Sequence, residues 1–401
     1  MEPASDERDD TLVYKPNSQV LWPKQLRQWS QTQDSGDDEA GPAYPPIPSE
    51  YAMLQEIIGK GGYKIVYGCA DKNACCMVSK NKWEDKYLIA EAKMMSKLNH
   101  PNILRVIVAG SHGDRFVIIA RRMKGDLHDK CRSMAQDRTL NNIVLLHWVQ
   151  EIASGLQYMH EKGIVHRDIK PSNILIDGQD VKISDFGLST LAPCTADVGT
   201  PTFKAPEIVG LVGHRSPYGP PVDIFALALT IIYILTGNSP FHMYNTQMVN
   251  QRMRKALRTA RRGDPGDPAT AQIPPEFYII TDTMWQPLLL QCLTVDPAAR
   301  PSAGQLYQQC REALAPPTIH VHPHMAEELR RLGIERVEQV DENFLRDREC
   351  KLDLVTKQKL RRMKAEWDAR KTALWKPIVH DPPQIPAAGG AAAGGAAAGG
   401  V

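Results

Sequence analysis

The sequence predicts an α+β fold, with a small strand-rich lobe followed by a larger helical lobe. Between Tyr51 and Ala120, short apolar runs alternate with turn residues, a pattern typical of strands. After Asp126, apolar residues recur at helical spacing, most clearly over 144–161 and 223–236. Two lobes of different class leave a cleft between them, and we expect the functional site in that cleft.

The small lobe is expected to hold five strands and one helix. Turn residues separate the first three strands, with Gly61 and Gly62 after the first and 71–73 after the second. The helix is expected over 84–98, where apolar residues again recur at helical spacing. The strands are predicted at 51–59, 64–70, 74–80, 104–109 and 115–120.

Composition divides the chain into three parts. Residues 1–49 are polar, acidic and proline-rich at their end, so we expect a disordered leader with too little apolar surface to fold. Residues 50–315 form the predicted domain, with the small lobe at about 50–122 and the large lobe at about 123–315. Residues 316–401 form a charged, partly helical tail that ends in Ala/Gly low complexity.

Charge and cysteine content bound the class of protein. The formal net charge of +2 gives no reason to expect nucleic acid or a membrane as a partner. Eight cysteines are spread over 401 residues without a CxxC pair, which favours reduced thiols. The acidic N-terminus is unlike a signal peptide, and the longest apolar run, Ile224 to Leu235, is too short to span a bilayer. We expect an intracellular protein, cytoplasmic or nuclear, of undetermined oligomeric state.

A glycine-rich segment joins the first two predicted strands. Glycines let backbone amides approach phosphate oxygens closely, so this segment is a candidate nucleotide-binding loop. Its first two glycines fit the pattern G-x-G-x-x-G-x-V, whereas Lys64 stands at the third glycine position. An ordinary glycine-rich hairpin is the alternative interpretation. The candidate binding residues are Ile58, Gly59, Lys60, Gly61, Gly62 and Val66.

A candidate catalytic loop lies in HRDIKPSN, residues 166–173. Phosphoryl transfer requires that the phosphates are held, that their charge is neutralised and that the acceptor hydroxyl is positioned. Asp168 is the candidate base for that hydroxyl, and Lys170 is the candidate cation for the transferring phosphoryl group. Asn173, and Asp185 of the Asp-Phe-Gly sequence twelve residues later, offer oxygen ligands for Mg²⁺.

The order of these motifs resembles the eukaryotic protein kinase domain. The resemblance covers about Tyr51 to Leu314 and includes VGTPTFKAPE, residues 198–207. It implies a two-lobed protein kinase fold, with ATP and Mg²⁺ as cofactors and a protein as substrate. It also implies that Glu207 and Arg300 form an ion pair in the large lobe, and that Asp223 anchors the catalytic loop.

The resemblance further implies a lysine in the third strand with a helix carboxylate as its partner. MVSK, residues 77–80, stands where the family has V-A-I-K, so we expect Lys80 to contact the phosphates and to pair with Glu91. Lys82 is the alternative if the register slips by two residues. The separation of Lys80 and Glu91 is shorter than is usual in the family, which predicts a shortened connection.

Two further implications concern specificity and regulation. Lys170 followed by proline, together with Thr200, indicates a Ser/Thr kinase; a pseudokinase that binds nucleotide or partner proteins without catalysis is the alternative. In the activation segment, Arg167 is expected to pair either with a phosphate on Thr195 or with the Asp197 carboxylate.

Two clusters outside these motifs have simpler interpretations. The basic residues of 252–262 are either a docking patch for an acidic partner or a solvated helix face, and the second interpretation is preferred. The histidines of 320–324 fit a loop better than a metal site, because no cysteine lies close to them.

Overall fold

A computed structural model of the protein describes most of the predicted domain and one helix of the tail. The described residues are 46–137, 139–210, 217–262, 271–315 and 354–374, together with positions 329, 340, 345, 352 and 378. The predicted leader up to residue 45, the histidines of 320–324 and the Ala/Gly end lie outside the described residues.

The small lobe is built on an antiparallel sheet of five strands in the order β1-β2-β3-β5-β4. Its central strand β3 is buried along its whole length, because one face packs on the main core and the other on a smaller cluster around Cys76 and Val78. The strands are β1 Met53–Lys60, β2 Lys64–Cys69, β3 Ala74–Ser79, β4 Val106–His112 and β5 Arg115–Arg121.

Helix α1, Asp85–Ser96, packs against this sheet. A short 3-10 turn precedes it, and Asn81 and Glu84 form a capping box that satisfies the free amides of that turn. Leu88 and Met95 are buried on the face of α1 that meets the sheet, and Glu91 is buried with them. A buried carboxylate requires partners, so α1 presents a polar group that the rest of the site must satisfy.

The large lobe is mainly helical, as the sequence predicts. Its central helix, α5, is buried on nearly all sides, which explains the apolar run from Ile224 to Leu235 as the core of a globular lobe. No helix of the described residues is both long and apolar enough to cross a membrane. The helices are α2 Leu127–Gln136, α3 Asn142–Glu161, α4 Pro206–Val209, α5 Pro221–Thr236, α6 Thr246–Arg262, α7 Trp285–Cys292 and α8 Ala303–Leu314. The predicted α+β class is therefore confirmed.

Short strands at the top of the large lobe carry the loops of the cleft. Strands β8 and β9 form a hairpin that β6 extends, and β7 pairs with β10. The loop of 166–173 joins β7 to β8, and Asp185 follows β9. The strands are β6 Gly125–Asp126, β7 Ile164–Val165, β8 Ile174–Asp177, β9 Asp180–Ile183 and β10 Thr190–Leu191.

One helix of the tail packs on the large lobe. In α9, Leu354–Leu374, the last residue is buried in the main core. Arg370 donates to the carbonyl of Ala313 at 2.9 Å, and the amide of Ile378 donates to the carbonyl of Leu140 at 2.7 Å. The tail is thus attached to the end of α8 and to the segment before α3.

The basic helix α6 is only partly a solvated face. Arg252 lies over the rings of Phe241 and Tyr244, with its guanidinium carbon 5.9 Å and 5.1 Å from their centroids. It also donates to the carbonyl of Ile273 at 3.4 Å. Arg258 is exposed, as the preferred interpretation expects, and the side chains of 261 and 262 lie outside the described residues.

Candidate active site

A buried ionic cluster joins the small lobe to the loop after β9. The Lys64 ammonium pairs with the carboxylate of Glu91 and donates to Asp185 Oδ1 at 2.8 Å. The backbone amide of Phe186 donates to the same Glu91 carboxylate at 3.2 Å. Lys64 and Glu91 are almost fully buried, whereas the Asp185 side chain is 36% exposed. The cluster thus fixes a cation beside the Asp-Phe-Gly turn.

Sequence reasoning placed Lys80 in this cluster, and the structure does not. Lys80 is exposed just beyond the end of β3, and its backbone amide donates to the carbonyl of Tyr63 at 2.8 Å. The alternative, Lys82, is also exposed and pairs with Asp114 at 3.1 Å. Glu91 is in the predicted place, but its lysine comes from β2.

The register of the strands explains why Lys64, and not Lys80, pairs with Glu91. Lys64 pairs across the sheet with Ser79, and Val66 pairs with Met77. Residues directly opposite each other point to the same face of a sheet, so Ser79 shares the face of Lys64, and the next residue, Lys80, cannot. The one sequence signal for Lys64 was its position, since a lysine stood where the glycine pattern calls for its third glycine.

Charge stabilises the ionised forms of this cluster. Burial opposes the charge on Lys64, but Glu91 and Asp185 together hold its pKa above the usual value. Burial also opposes ionisation of Asp185, and the Lys64 ammonium overrides that effect and lowers the pKa of the carboxyl. Lys64 therefore carries its positive charge at neutral pH.

The glycine-rich hairpin lies next to the buried ionic cluster, because Lys64 belongs to both. Ile58, Gly59 and Lys60 end β1, and the turn closes where the amide of Gly61 donates to the carbonyl of Lys64 at 2.8 Å. Gly62 lies at the tip with no atom near the position of an added Cβ. Val66 packs against the main core and faces Gly59 across the strands.

Tyr63 is a residue of this hairpin that sequence reasoning missed. Its hydroxyl donates to Glu91 Oε2 at 2.5 Å, on the carboxylate oxygen that Lys64 does not use. Its ring lies against the ring of Tyr87, with centroids 5.9 Å apart. No pattern in the sequence distinguishes Tyr63 from an exposed hairpin tyrosine.

In the catalytic loop, both carboxylate oxygens of Asp168 are held by hydrogen bonds. Oδ1 accepts from the backbone amide of Thr200 at 2.8 Å and from its hydroxyl at 2.7 Å. Oδ2 accepts from the Lys170 ammonium at 2.7 Å and from the Asn173 amide nitrogen at 2.9 Å. The predicted catalytic residues Asp168 and Lys170 are therefore brought together with Asn173, and the carboxylate orientation is fixed.

Asp223 anchors this loop by accepting hydrogen bonds from its backbone. It is fully buried and accepts from the amides of His166 and Arg167 at 2.9 Å and 2.8 Å. His160 Nε2 lies 2.9 Å from the same carboxylate. Burial opposes ionisation of Asp223, but the contacts with His160 and His166 hold its pKa below the usual value. The anchor holds Arg167 in a left-handed backbone conformation, with φ 70°.

Of the two pairings expected for Arg167, the one with the Asp197 carboxylate is not formed. Asp197 pairs with Lys204 at 2.9 Å, and the Thr195 side chain is exposed. Arg167 Nε donates to the carbonyl of Leu188 at 2.6 Å, and its guanidinium lies beside the Tyr218 hydroxyl. The backbones of Cys194 and Tyr218 exchange hydrogen bonds of 2.8 Å and 2.9 Å, and the Tyr218 hydroxyl donates to the carbonyl of Ala196 at 2.5 Å. These contacts hold the segment against Tyr218.

Glycine is required where the segment approaches the catalytic loop. Gly199 has φ 96°, and an added Cβ there would lie 2.4 Å from the carbonyl oxygen of Arg167. Behind it, Arg300 makes a bidentate ion pair with Glu207, with N–O distances of 2.6 Å and 2.8 Å. This pair, implied by the resemblance, fixes the start of α4.

Comparisons with known proteins agree with this geometry. The protein kinase domain family matches residues 52–310 of the chain. A serine/threonine-protein kinase of Drosophila persimilis is 33% identical over 205 residues, which cover 47% of this chain and 26% of that protein. Human NUAK family SNF1-like kinase 1 is 31% identical over 235 residues, covering 55% and 34% of the two chains. The meiosis-specific serine/threonine-protein kinase mek1 of Schizosaccharomyces pombe is 30% identical over 213 residues, or 47% of each.

The chain spans about a quarter to a half of the length of these relatives. The family match itself covers more than half of this chain. It includes the buried ionic cluster of Lys64, the catalytic loop and the Asp-Phe-Gly turn. The chain therefore belongs to the protein kinase domain family, with the match in residues 52–310.

Proposed function

We propose that this protein transfers the γ-phosphoryl group of ATP to serine or threonine hydroxyls of protein substrates. The observation that carries the proposal is the pair of charged centres in one cleft. The Lys64 ammonium contacts the carboxylates of Asp185 and Glu91. The Asp168 carboxylate accepts hydrogen bonds from Lys170, Thr200 and Asn173. Every role that phosphoryl transfer requires then has a positioned residue.

Lys64 is proposed to bind the phosphates of ATP, in place of Lys80. Its charge is held next to Asp185, and the glycine-rich hairpin that carries it has the backbone amide of Gly62 at its tip. A cation fixed by a buried carboxylate loses little freedom when a phosphate arrives, so its attraction is used for orientation.

Asp168 is proposed to accept the proton of the substrate hydroxyl or to orient that hydroxyl for attack. Lys170 donates both to Asp168 and to the Thr200 hydroxyl at 2.7 Å, so it stands beside the base and can stabilise the charge of the transferring phosphoryl group. Lys170 is followed by Pro171, and with Thr200 it supports the assignment to Ser/Thr rather than Tyr acceptors.

The donor set at the same site fits Mg²⁺. The side-chain nitrogen of Asn173 donates to Asp168, which leaves the side-chain oxygen of Asn173 for a cation. The lowered pKa of Asp185 keeps that carboxyl ionised. Hard divalent cations prefer such oxygen ligands. Mg²⁺ held by Asn173 and Asp185 would neutralise phosphate charge.

Phosphorylation of peptide arrays by the purified chain tests the proposal, with Asp168→Asn as the matched variant. We expect phosphorylation on serine or threonine by the wild type, and loss of about 10²-fold or more in turnover in the variant. ATP binding should persist in Asp168→Asn, because this side chain does not hold the nucleotide. A wild type that binds ATP but phosphorylates no more than Asp168→Asn would favour the alternative, a nucleotide-binding scaffold.

A further inference from the structure

The Glu91 carboxylate has three donors, of which Tyr63 and Lys64 are neighbours in sequence. Lys64 comes from β2, the Phe186 amide comes from the Asp-Phe-Gly turn, and the Tyr63 hydroxyl comes from the glycine-rich hairpin. Lys64 and Phe186 share Oε1, so Tyr63 alone satisfies Oε2 in the described residues. Glu91 is 1% exposed, and water is not at hand to replace a lost donor.

Several contacts hold Tyr63 in this position. Its ring packs edge-on against Tyr87, and the Lys64 ammonium lies 5.5 Å from its centroid. Its hydroxyl fills the space beside Gly187, where an added Cβ would lie 2.4 Å from the phenol oxygen. Burial raises the pKa of the phenol far above its usual value, with Glu91 adding to the effect, so the hydroxyl remains a donor.

We propose that Tyr63 is a positioning residue, whose hydroxyl fixes Glu91 and thereby holds Lys64 where it meets the phosphates. The proposal rests on the function proposed above and adds a residue to it. A carboxylate with an unsatisfied buried oxygen turns or draws in another donor, and Lys64 already contacts this carboxylate. Loss of the hydroxyl should therefore move the cation and weaken only those ligands that carry phosphate.

The variant Tyr63→Phe removes one oxygen atom and keeps the ring contacts. Its control is Tyr87→Phe, in which the hydroxyl removed belongs to the neighbouring ring and makes none of these contacts. Calorimetry on the full chain then measures two ligands, Mg-ATP and adenosine. Adenosine lacks phosphates, so its affinity reports whether the cleft as a whole is intact.

We expect Tyr63→Phe to weaken Mg-ATP about five- to tenfold while adenosine changes less than about twofold. Tyr87→Phe should leave both affinities unchanged. Equal Mg-ATP affinity in Tyr63→Phe and wild type would overturn the proposal, and so would a parallel loss of both ligands, since that is the mark of a merely structural role. A wild-type chain that binds no Mg-ATP would overturn the proposed function itself, and with it the need for a positioned lysine.

Discussion

Lys64 and Asp185 lie 121 residues apart in sequence, and the lysine ammonium donates to the aspartate carboxylate at 2.8 Å. This contact, with the buried pairing to Glu91, puts in β2 the cation that the family pattern assigns to β3. The same exchange explains two irregularities of the sequence. The third glycine is missing because Lys64 occupies its position, and Lys80 is too close to Glu91 in sequence because it is not its partner.

The first prediction separates the two lysines. Lys64→Met should lower kcat/KM by orders of magnitude, because it removes the positive charge beside Asp185. Lys80→Met should leave kcat/KM within about twofold of wild type, since an exposed side chain away from the cluster carries little energy. Steady-state kinetics with ATP as the varied substrate measure both. The reverse order of effects would restore Lys80 as the phosphate-binding residue.

A second prediction concerns the stability of the large lobe. Arg300 is fully buried and bidentate with Glu207, so Arg300→Leu leaves a carboxylate without its partner. We expect a loss of about 3–5 kcal/mol in the free energy of unfolding, measured by urea denaturation. The matched control is Glu366→Ala, which breaks the exposed pair with Arg362 and should cost less than about 0.5 kcal/mol. Equal losses would show that burial does not decide the difference.

The third prediction is that phosphorylation of Thr195 is dispensable. The Thr195 side chain is exposed, and the segment is already held by Tyr218 and by the Asp197–Lys204 pair. Thr195→Ala should keep kcat within about twofold, and phosphatase treatment followed by intact-mass analysis should leave activity unchanged. A large loss in both experiments would show that a phosphate reorganises this segment and recruits Arg167.

The fourth prediction gives the pH dependence of the catalytic-loop anchor. The folded-state pKa of Asp223 is lowered, so its ionised form contributes stability that is fully present above the unfolded value of about 3.9. That contribution is lost as the pH falls below this value and through the folded-state pKa. The difference in unfolding free energy between wild type and Asp223→Asn should therefore shrink as the pH falls from about 5 to below about 4. A difference that grows on acidification would contradict the assignment.

A fifth prediction concerns the tail. Leu374 is 5% exposed in the main core, so Leu374→Ala should cost about 2–4 kcal/mol in unfolding free energy. Lys371→Ala, on the exposed side of the same helix, should change it by less than about 0.5 kcal/mol. We expect kcat to be unchanged in both variants at temperatures where they are folded. A fall in kcat for folded Leu374→Ala would show that the tail supports the active arrangement.

Local spacing made much of the site predictable. Asp168, Lys170, Asn173 and Asp185 lie on short loops, where a fixed number of residues fixes the relative position of side chains, and the structure brings the first three together around one carboxylate. Glu91 was also predictable, because the resemblance calls for a helix carboxylate there, and the structure has Glu91 buried on α1.

Long-range geometry was not predictable in the same way. Lys64 and Lys80 both stand at strand ends, and only the pairing of Lys64 with Ser79 decides which one faces the cluster. The attachment of α9 was not predicted for another reason. Its buried side chains Leu360, Trp367 and Leu374 recur along one face of a charged helix, but such a pattern does not tell which surface covers that face.

Because Lys64 lies in the glycine-rich hairpin, opening of the hairpin would also move the charge of the lysine. A cation in β3 would stay with the sheet if the hairpin lifted, but Lys64 lies two residues after Gly62 and would move with it. Opening the hairpin to let ADP leave would therefore also withdraw the charge that holds its phosphates. Product release and loss of electrostatic attraction would then be one motion.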